Sequence, residues 1–148
     1  MAFTQGIQTI NQLAADQSVT SSVTPVDITG FTFAVPAGKR IFWEVSAIFS
    51  TGATGGFRLL AHNTSAPTTY NALFSVVDVT TPAPYNAAQT TEAAFTNASA
   101  VATNYELVAS GTVIANAATT FSIQFAQNNS TANAITMKAG AVLKIWQE

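Results

Sequence analysis

Charge is scarce in this chain: 8% of its 148 residues are Asp, Glu, Lys or Arg, one residue is histidine and none is cysteine. A globular domain usually carries about 25% charged side chains, so the surface here must be built largely from Thr, Ser, Asn, Gln and Ala. Each absence excludes a class of chemistry. Without cysteine there is neither a disulfide framework nor a thiolate metal site. With His62 as the single histidine and no Gly-x-Ser-x-Gly elbow, a nucleophile–base pair has little to start from. The acids Asp16, Asp27, Glu44, Asp78, Glu92, Glu106 and Glu148 share no local motif of the kind paired-carboxylate or calcium chemistry uses. Lys39, Arg40, Arg58, Lys138 and Lys144 are dispersed and the net charge is −2, which argues against nucleic acid as a partner. No stretch approaches the roughly 20 apolar residues of a membrane span, and the start Met1-Ala2-Phe3-Thr4-Gln5-Gly6 lacks the basic-then-apolar order of a signal peptide. The expectation is a protein made in the cytosol, with no membrane partner, no enzymatic activity, no cofactor, and no catalytic or metal-binding residue.

What is present is alternation with period two. In the segment 40–50, Ile41, Trp43, Val45, Ala47 and Phe49 fall on one face of a strand and Glu44, Ser46 and Ser50 on the other. Residues 119–127 repeat the pattern with Phe121, Ile123 and Phe125. Shorter β-branched or aromatic runs at 31–35, 56–62, 73–79, 105–114, 134–137 and 142–146 are bounded by Gly, Pro or Asn. Pro36-Ala37-Gly38-Lys39 and Lys138-Ala139-Gly140-Ala141 each read as a tight strand–turn–strand connection with glycine at positive φ. About eight short strands and no 3.6-residue stripe predict an all-β fold: an antiparallel β-sandwich, jelly-roll-like, with an extended N-terminal arm.

The arm is expected over residues 1–24 and the sandwich over 25–148. Phe3, Ile7, Ile10 and Leu13 stand spaced in a Gln, Thr and Ser background, a pattern that suits an arm docking on a neighbouring molecule. A second apolar set lies on the strand faces that should point away from the core: Phe42 and Ile48 opposite Trp43, Trp146 opposite Ile145, and Leu60 alongside Arg58 and His62. A sandwich buries one face of each sheet, so Phe42, Ile48, Leu60 and Trp146 are expected at a subunit interface. The Asn-x-Ser/Thr triplets at Asn63, Asn97, Asn128 and Asn129 are what so much Asn, Ser and Thr produces by chance.

Three stretches carry a family likeness. Pro25-Val26-Asp27-Ile28-Thr29-Gly30-Phe31-Thr32-Phe33-Ala34-Val35-Pro36-Ala37-Gly38 precedes an aromatic strand, Thr51-Gly52-Ala53-Thr54-Gly55-Gly56-Phe57-Arg58-Leu59 follows it, and residues 111–143 close the pattern with Thr119-Thr120-Phe121-Ser122-Ile123-Gln124-Phe125-Ala126-Gln127 at their centre. Together they resemble, over about residues 18–146, a β-sandwich domain of tailed-bacteriophage virion proteins: head decoration, head fibre and tail-associated proteins. The resemblance implies a virion protein, made in the host cytoplasm, that forms a symmetric homo-oligomer, expected to be a trimer. The small size and lack of a shaft favour a capsid decoration protein that bridges subunits of the major capsid protein, with the arm gripping the shell. The alternative is a tail or fibre component that binds host glycans through a loop-end groove containing Tyr70, Tyr85 and Asn86.

Overall fold

The strict alternation of residues 40–50 dictates a strand with one dry face, and in the computed structural model Ile41, Trp43, Val45, Ala47 and Phe49 are all buried while the residues between them face solvent. The structure describes residues 7–80, 84–97 and 103–148. Among these lie twelve strands: β1 Ile7–Gln12, β2 Gln17–Val19, β3 Val26–Val35, β4 Arg40–Ser50, β5 Phe57–Asn63, β6 Thr69–Asp78, β7 Pro84–Gln89, β8 Phe95–Asn97, β9 Asn104–Ile114, β10 Thr119–Ala126, β11 Ile135–Met137 and β12 Val142–Gln147. There is no helix among the described residues.

The strands form two sheets in which every pairing is antiparallel. The larger runs β1-β12-β4-β9-β6-β7, with β2 and β11 continuing its edge; the smaller runs β3-β10-β5-β8. We count β1 with β2 as one broken strand, count β11 with β12 as another, and set the β6–β7 hairpin aside as an insertion. The chain is then eight strands ordered 1-8-3-6 in one sheet and 2-7-4-5 in the other. This is a jelly roll, the closed double-sheet solution that leaves few strand edges open.

The two Gly turns behave differently from a hairpin. Gly38 and Gly140 do adopt positive φ, 74° and 90°. The first, however, carries the chain from β3 in the small sheet to β4 in the large one, so its flanking strands never pair. The second interrupts a single edge: Met137 pairs with Phe49 of β4, the Lys138 amide donates to the Ile48 carbonyl at 2.9 Å, and Val142 resumes opposite Ser46. Residues 139–141 are thus an outward loop opposite Ala47, a bulge and not a reversal.

The expected arm is, from residue 7 onward, part of the molecule's own large sheet. Ile7 pairs with Gln147 and Gln12 with Val142, while Gln17 to Val19 pair with β11. Between the two pieces the chain loops around the bulge. The Leu13 amide donates to the Ala141 carbonyl (2.9 Å), Gly140 donates to the Leu13 carbonyl (2.8 Å), and the Asp16 carboxylate accepts from the Ala139 amide (2.8 Å) and the Lys138 ammonium (3.1 Å). The Ala139 amide, and after it Lys138, hold the Asp16 carboxyl below its usual range. Leu13, expected to grip a neighbour, is instead buried in the core of its own chain. The cause is alternation: Gln8, Ile10 and Gln12 face outward, so Leu13, still bonded along the same edge, faces the core. Phe3 lies outside the described residues.

The core fills the space between the sheets with aromatic rings. Trp43 packs between Phe74 and Phe121, with ring centroids 6.3 and 5.4 Å away. Phe57 gathers Phe49, Tyr105 and Phe95 within 6 Å at one end. Gly111 on β9 faces Trp43 across the ladder, and a Cβ there would meet the Asn71 carbonyl oxygen and lie 2.7–2.8 Å from the indole ring. The side chain of Gln17 closes one flank: its amide donates to the Asp27 carbonyl (2.9 Å) and accepts from the Thr29 amide (2.7 Å), occupying the open edge of β3 as a neighbouring strand would.

Candidate interaction surface

Because alternation sends every second residue of the large sheet outward, its outer face can be read row by row from the register. One row runs Gln8–Trp146–Phe42–Thr112–Asn71, the next Ile10–Lys144–Glu44–Ser110–Leu73–Ala88, the next Gln12–Val142–Ser46–Val108–Ser75–Asn86, and the last Ile48–Glu106–Val77–Pro84. Ile10 is 60% exposed, Leu73 53%, Val108 50%, Ile48 39% and Phe42 36%. Isolated apolar residues on a surface are unremarkable, but five stand on this one face together with half-buried Trp146, Val142 and Val77, interrupted by Lys144, Glu44 and Ser110 across the middle and by Glu106 near one end.

Charge on this face is sparse and mostly neutralised in place. Lys144 Nζ lies 4.0 Å from Glu44 Oε2 near the middle, and at one corner Arg40 pairs with Glu148 at 3.7 Å while its guanidinium sits 5.9 Å from the centre of the Phe42 ring. Such exposed pairs contribute little stability. Their effect is to leave an apolar plane of low net charge. The plane is not smooth: between Val142 and Lys144 on one side and Val108 and Ser110 on the other, the small Ser46 floors a hollow of about 290 Å³. A second hollow lies beside Leu73, over Ala88 and Gly111.

Of the residues expected at an interface, Phe42, Ile48 and Trp146 do share this face, with Trp146 directly opposite Phe42 in the ladder. Ile10 joins them, its partner in register being Lys144. Leu60 does not: it sits on β5 of the small sheet, on the outer face opposite Gln124, with the whole sandwich between it and the others. Leu73, Val108 and Val142 lie on this face too and were not singled out from the sequence. The signal for them was present in runs such as Leu73-Phe74 and Leu107-Val108-Ala109, where consecutive apolar residues must send one side chain outward.

A second concavity opens at the loop end of the sandwich, lined by Asn63, Ala66, Pro67, Thr68, Tyr70 and the segment 90–92. Glu92 is fixed there by three donors: the Asn63 backbone amide (3.0 Å), the Asn63 side-chain amide (3.4 Å) and His62 Nδ1, 2.6 Å from Oε1. His62 points out from the small sheet alongside Arg58 and Leu60, the surface position its alternation dictates. Both Glu92 oxygens are therefore engaged. Tyr70 is buried and donates its hydroxyl to the Ala61 carbonyl at 3.0 Å. Tyr85 packs its ring edge-on against Phe57, and Asn86 belongs to the outer face of the large sheet. The three residues of the expected glycan groove thus stand in three different places, and the described residues form no aromatic platform there. Among the described residues no three or more His, Asp or Glu side chains gather as metal ligands do.

No protein-family model and no curated protein matches the chain. Among solved structures, "Structure of infectious bursal disease virus Gt strain" and "Structure of infectious bursal disease virus Gx strain" align with 96% and 95% of it, at 11% and 9% identity and TM-scores of 0.23 and 0.22. The chain spans about two fifths of the length of those chains, 41% and 39%.

Tyr70 gives a prediction with a definite sign. Burial, and secondarily the negative Glu92, push its phenol well above the ordinary 10.0. In the unfolded chain it ionises near pH 10, while the folded protein still holds the proton. The native state therefore keeps the full benefit of this group below pH 10 and loses it as pH rises further. In urea unfolding followed from pH 8 to 11, the wild-type protein is expected to lose stability above pH 10 more steeply than Tyr70→Phe. Parallel curves for the two proteins would remove the assignment.

Proposed function

We propose that this protein is a non-enzymatic structural component of a virion, a capsid decoration protein that self-associates and bridges neighbouring subunits of the major capsid protein. The observation that carries the reading is the outer face of the large sheet, where Ile10, Leu73, Val108, Ile48 and Phe42 form an exposed apolar plane whose central charges are paired. The scarcity of ionisable groups supports it, since a chain with one histidine and no cysteine is poorly equipped for catalysis. The resemblance to tailed-phage virion domains supplies the setting.

The action proposed is mechanical. A filled shell pushes outward on its subunits, and a molecule laid across a seam makes their separation cost the area buried at each foot. Apolar burial contributes about 25 cal/mol per Å², of which association entropy removes a large part. Repetition over many identical seams multiplies the remainder. The jelly roll serves as a stiff plate, because its sheets are cross-braced by the aromatic core.

The test is co-sedimentation of the purified protein with empty shells of the virus that encodes it. Saturable pelleting, together with a rise in the temperature at which the shells come apart, is the expected result. A protein that stays in the supernatant at molar excess over shell subunits overturns the decoration role. If it then binds a glycan array, the tail or fibre alternative replaces it.

A further inference from the structure

We infer that the outer face of the large sheet is a self-complementary contact that pairs two copies of this chain, sheet against sheet. The inference deepens the self-association in the function proposed above. Its test uses no shell, so it can fail without capsid binding failing, and the reverse.

Three observations specify a second copy as the occupant. The first is area. Six strands of 6 to 11 residues, spaced about 4.8 Å apart, outline a face of roughly 800 Å², which is about what each partner contributes to a standard stable interface. The second is relief. Val108 projects from β9, half exposed, and Ser46, directly opposite it on β4, floors the hollow beside it. A two-fold axis in the plane between the stacked sheets, running between β4 and β9, sets each Val108 over the other copy's Ser46. Knob and hollow then exchange reciprocally, as an isologous interface requires. The same operation lays Phe42 over Thr112, and Glu44 over Ser110, whose hydroxyl can donate to the carboxylate.

The third observation is charge. Glu44 and Lys144 lie 4.0 Å apart within one chain, so the central charges keep a partner on stacking, while Glu106, which the same operation lays over the other copy's Ile48, lies in the last row. Stacked sheets sit about 10 Å apart with strands within about 30° of alignment, a spacing that Val and Ser side chains fill. A face that pairs with itself closes at two copies. This contact therefore gives a dimer in place of the trimer expected from the family resemblance.

The experiment is multi-angle light scattering of the full chain over a concentration series, with Val108→Asp as the disruptive variant and Leu60→Ser, on the opposite sheet, as the control. The wild type and Leu60→Ser are expected at twice the 15.4 kDa chain mass. Val108→Asp is expected at a single chain mass with self-affinity weakened about 100-fold or more, because it places two unpaired carboxylates in a desolvated contact. Should Val108→Asp fail to melt cooperatively, Ser46→Lys, which fills the hollow from an exposed position, takes its place and is expected to be monomeric. The inference is overturned by a wild type that stays monomeric throughout, by a mass of three chains, or by a dimer that the folded variants leave intact.

Discussion

Replacing Gly111 by valine is expected to leave no stably folded protein. The inward side of β9 at this position is occupied twice over. The Asn71 carbonyl lies where a Cβ would go, and the Trp43 ring begins within 2.8 Å of it. An indole can sometimes yield by changing rotamer, but here it is confined between Phe74 and Phe121, and the carbonyl belongs to the backbone of β6. Overpacking a core by a few atoms typically costs about 1–3 kcal/mol and occasionally more. Because even a Cβ here overlaps the backbone carbonyl of Asn71, the cost is expected to exceed that range and to rival a total stability of about 5–15 kcal/mol, which puts most of the protein in inclusion bodies or abolishes its cooperative melt. Circular dichroism melting of Gly111→Ala and Gly111→Val should show a graded loss; a valine variant with the wild-type midpoint contradicts the packing described.

Trp43→Ala is expected to cost about 3–5 kcal/mol, the range for removing a large buried aromatic. Trp43 is the widest side chain in the core, 1% exposed, and it spans the gap between the sheets by touching Phe121 of the small sheet and Phe74 of the large one. Its removal leaves a void lined by rings from both layers, which rigid sheets cannot close. Its indole nitrogen makes no hydrogen bond, so the loss is one of packing, and Trp43→Phe should recover much of it. Urea unfolding should show a lower midpoint with an unchanged slope. A cost below 1 kcal/mol would mean that the two sheets settle together around the gap.

These sites also show where the sequence was legible. β4 and β10 were readable because their alternation is unbroken, so Trp43 and Phe121 had to face the same interior. β1 and β2 were not, because Ile7, Ile10 and Leu13 recur every three residues. The structure resolves that spacing into an outward Ile10 and an inward Leu13, because a step of three reverses the face under two-residue alternation. β7 begins with proline and continues through alanines, and β8 is three residues long, so neither carried a strand signature. The turn at Gly38 was read correctly as strand–turn–strand with glycine at positive φ, but such a glycine reports that the chain bends, not which sheet it enters. The same limit misplaced Leu60. Alternation assigns a residue to the outside of its strand, but two outsides exist in a sandwich, and only the strand order separates Leu60 from Phe42.

The pairing of β1 with β12 and of β2 with β11 joins residues 7–19 to residues 135–147 across more than a hundred positions of sequence, and this sets a schedule. During synthesis at about 5–20 residues per second, residues 7–19 emerge well before residues 135–147 and must wait for them. Until then Ile7–Gln12, which holds neither a charge nor a proline, has no partner within its own chain and must be kept from pairing with another nascent copy. Contacts between such distant residues are slow to form. Closing the edge therefore waits on residues 135–147, and a ribosome stalled before residue 135 would hold a sheet with β1 and β2 unplaced.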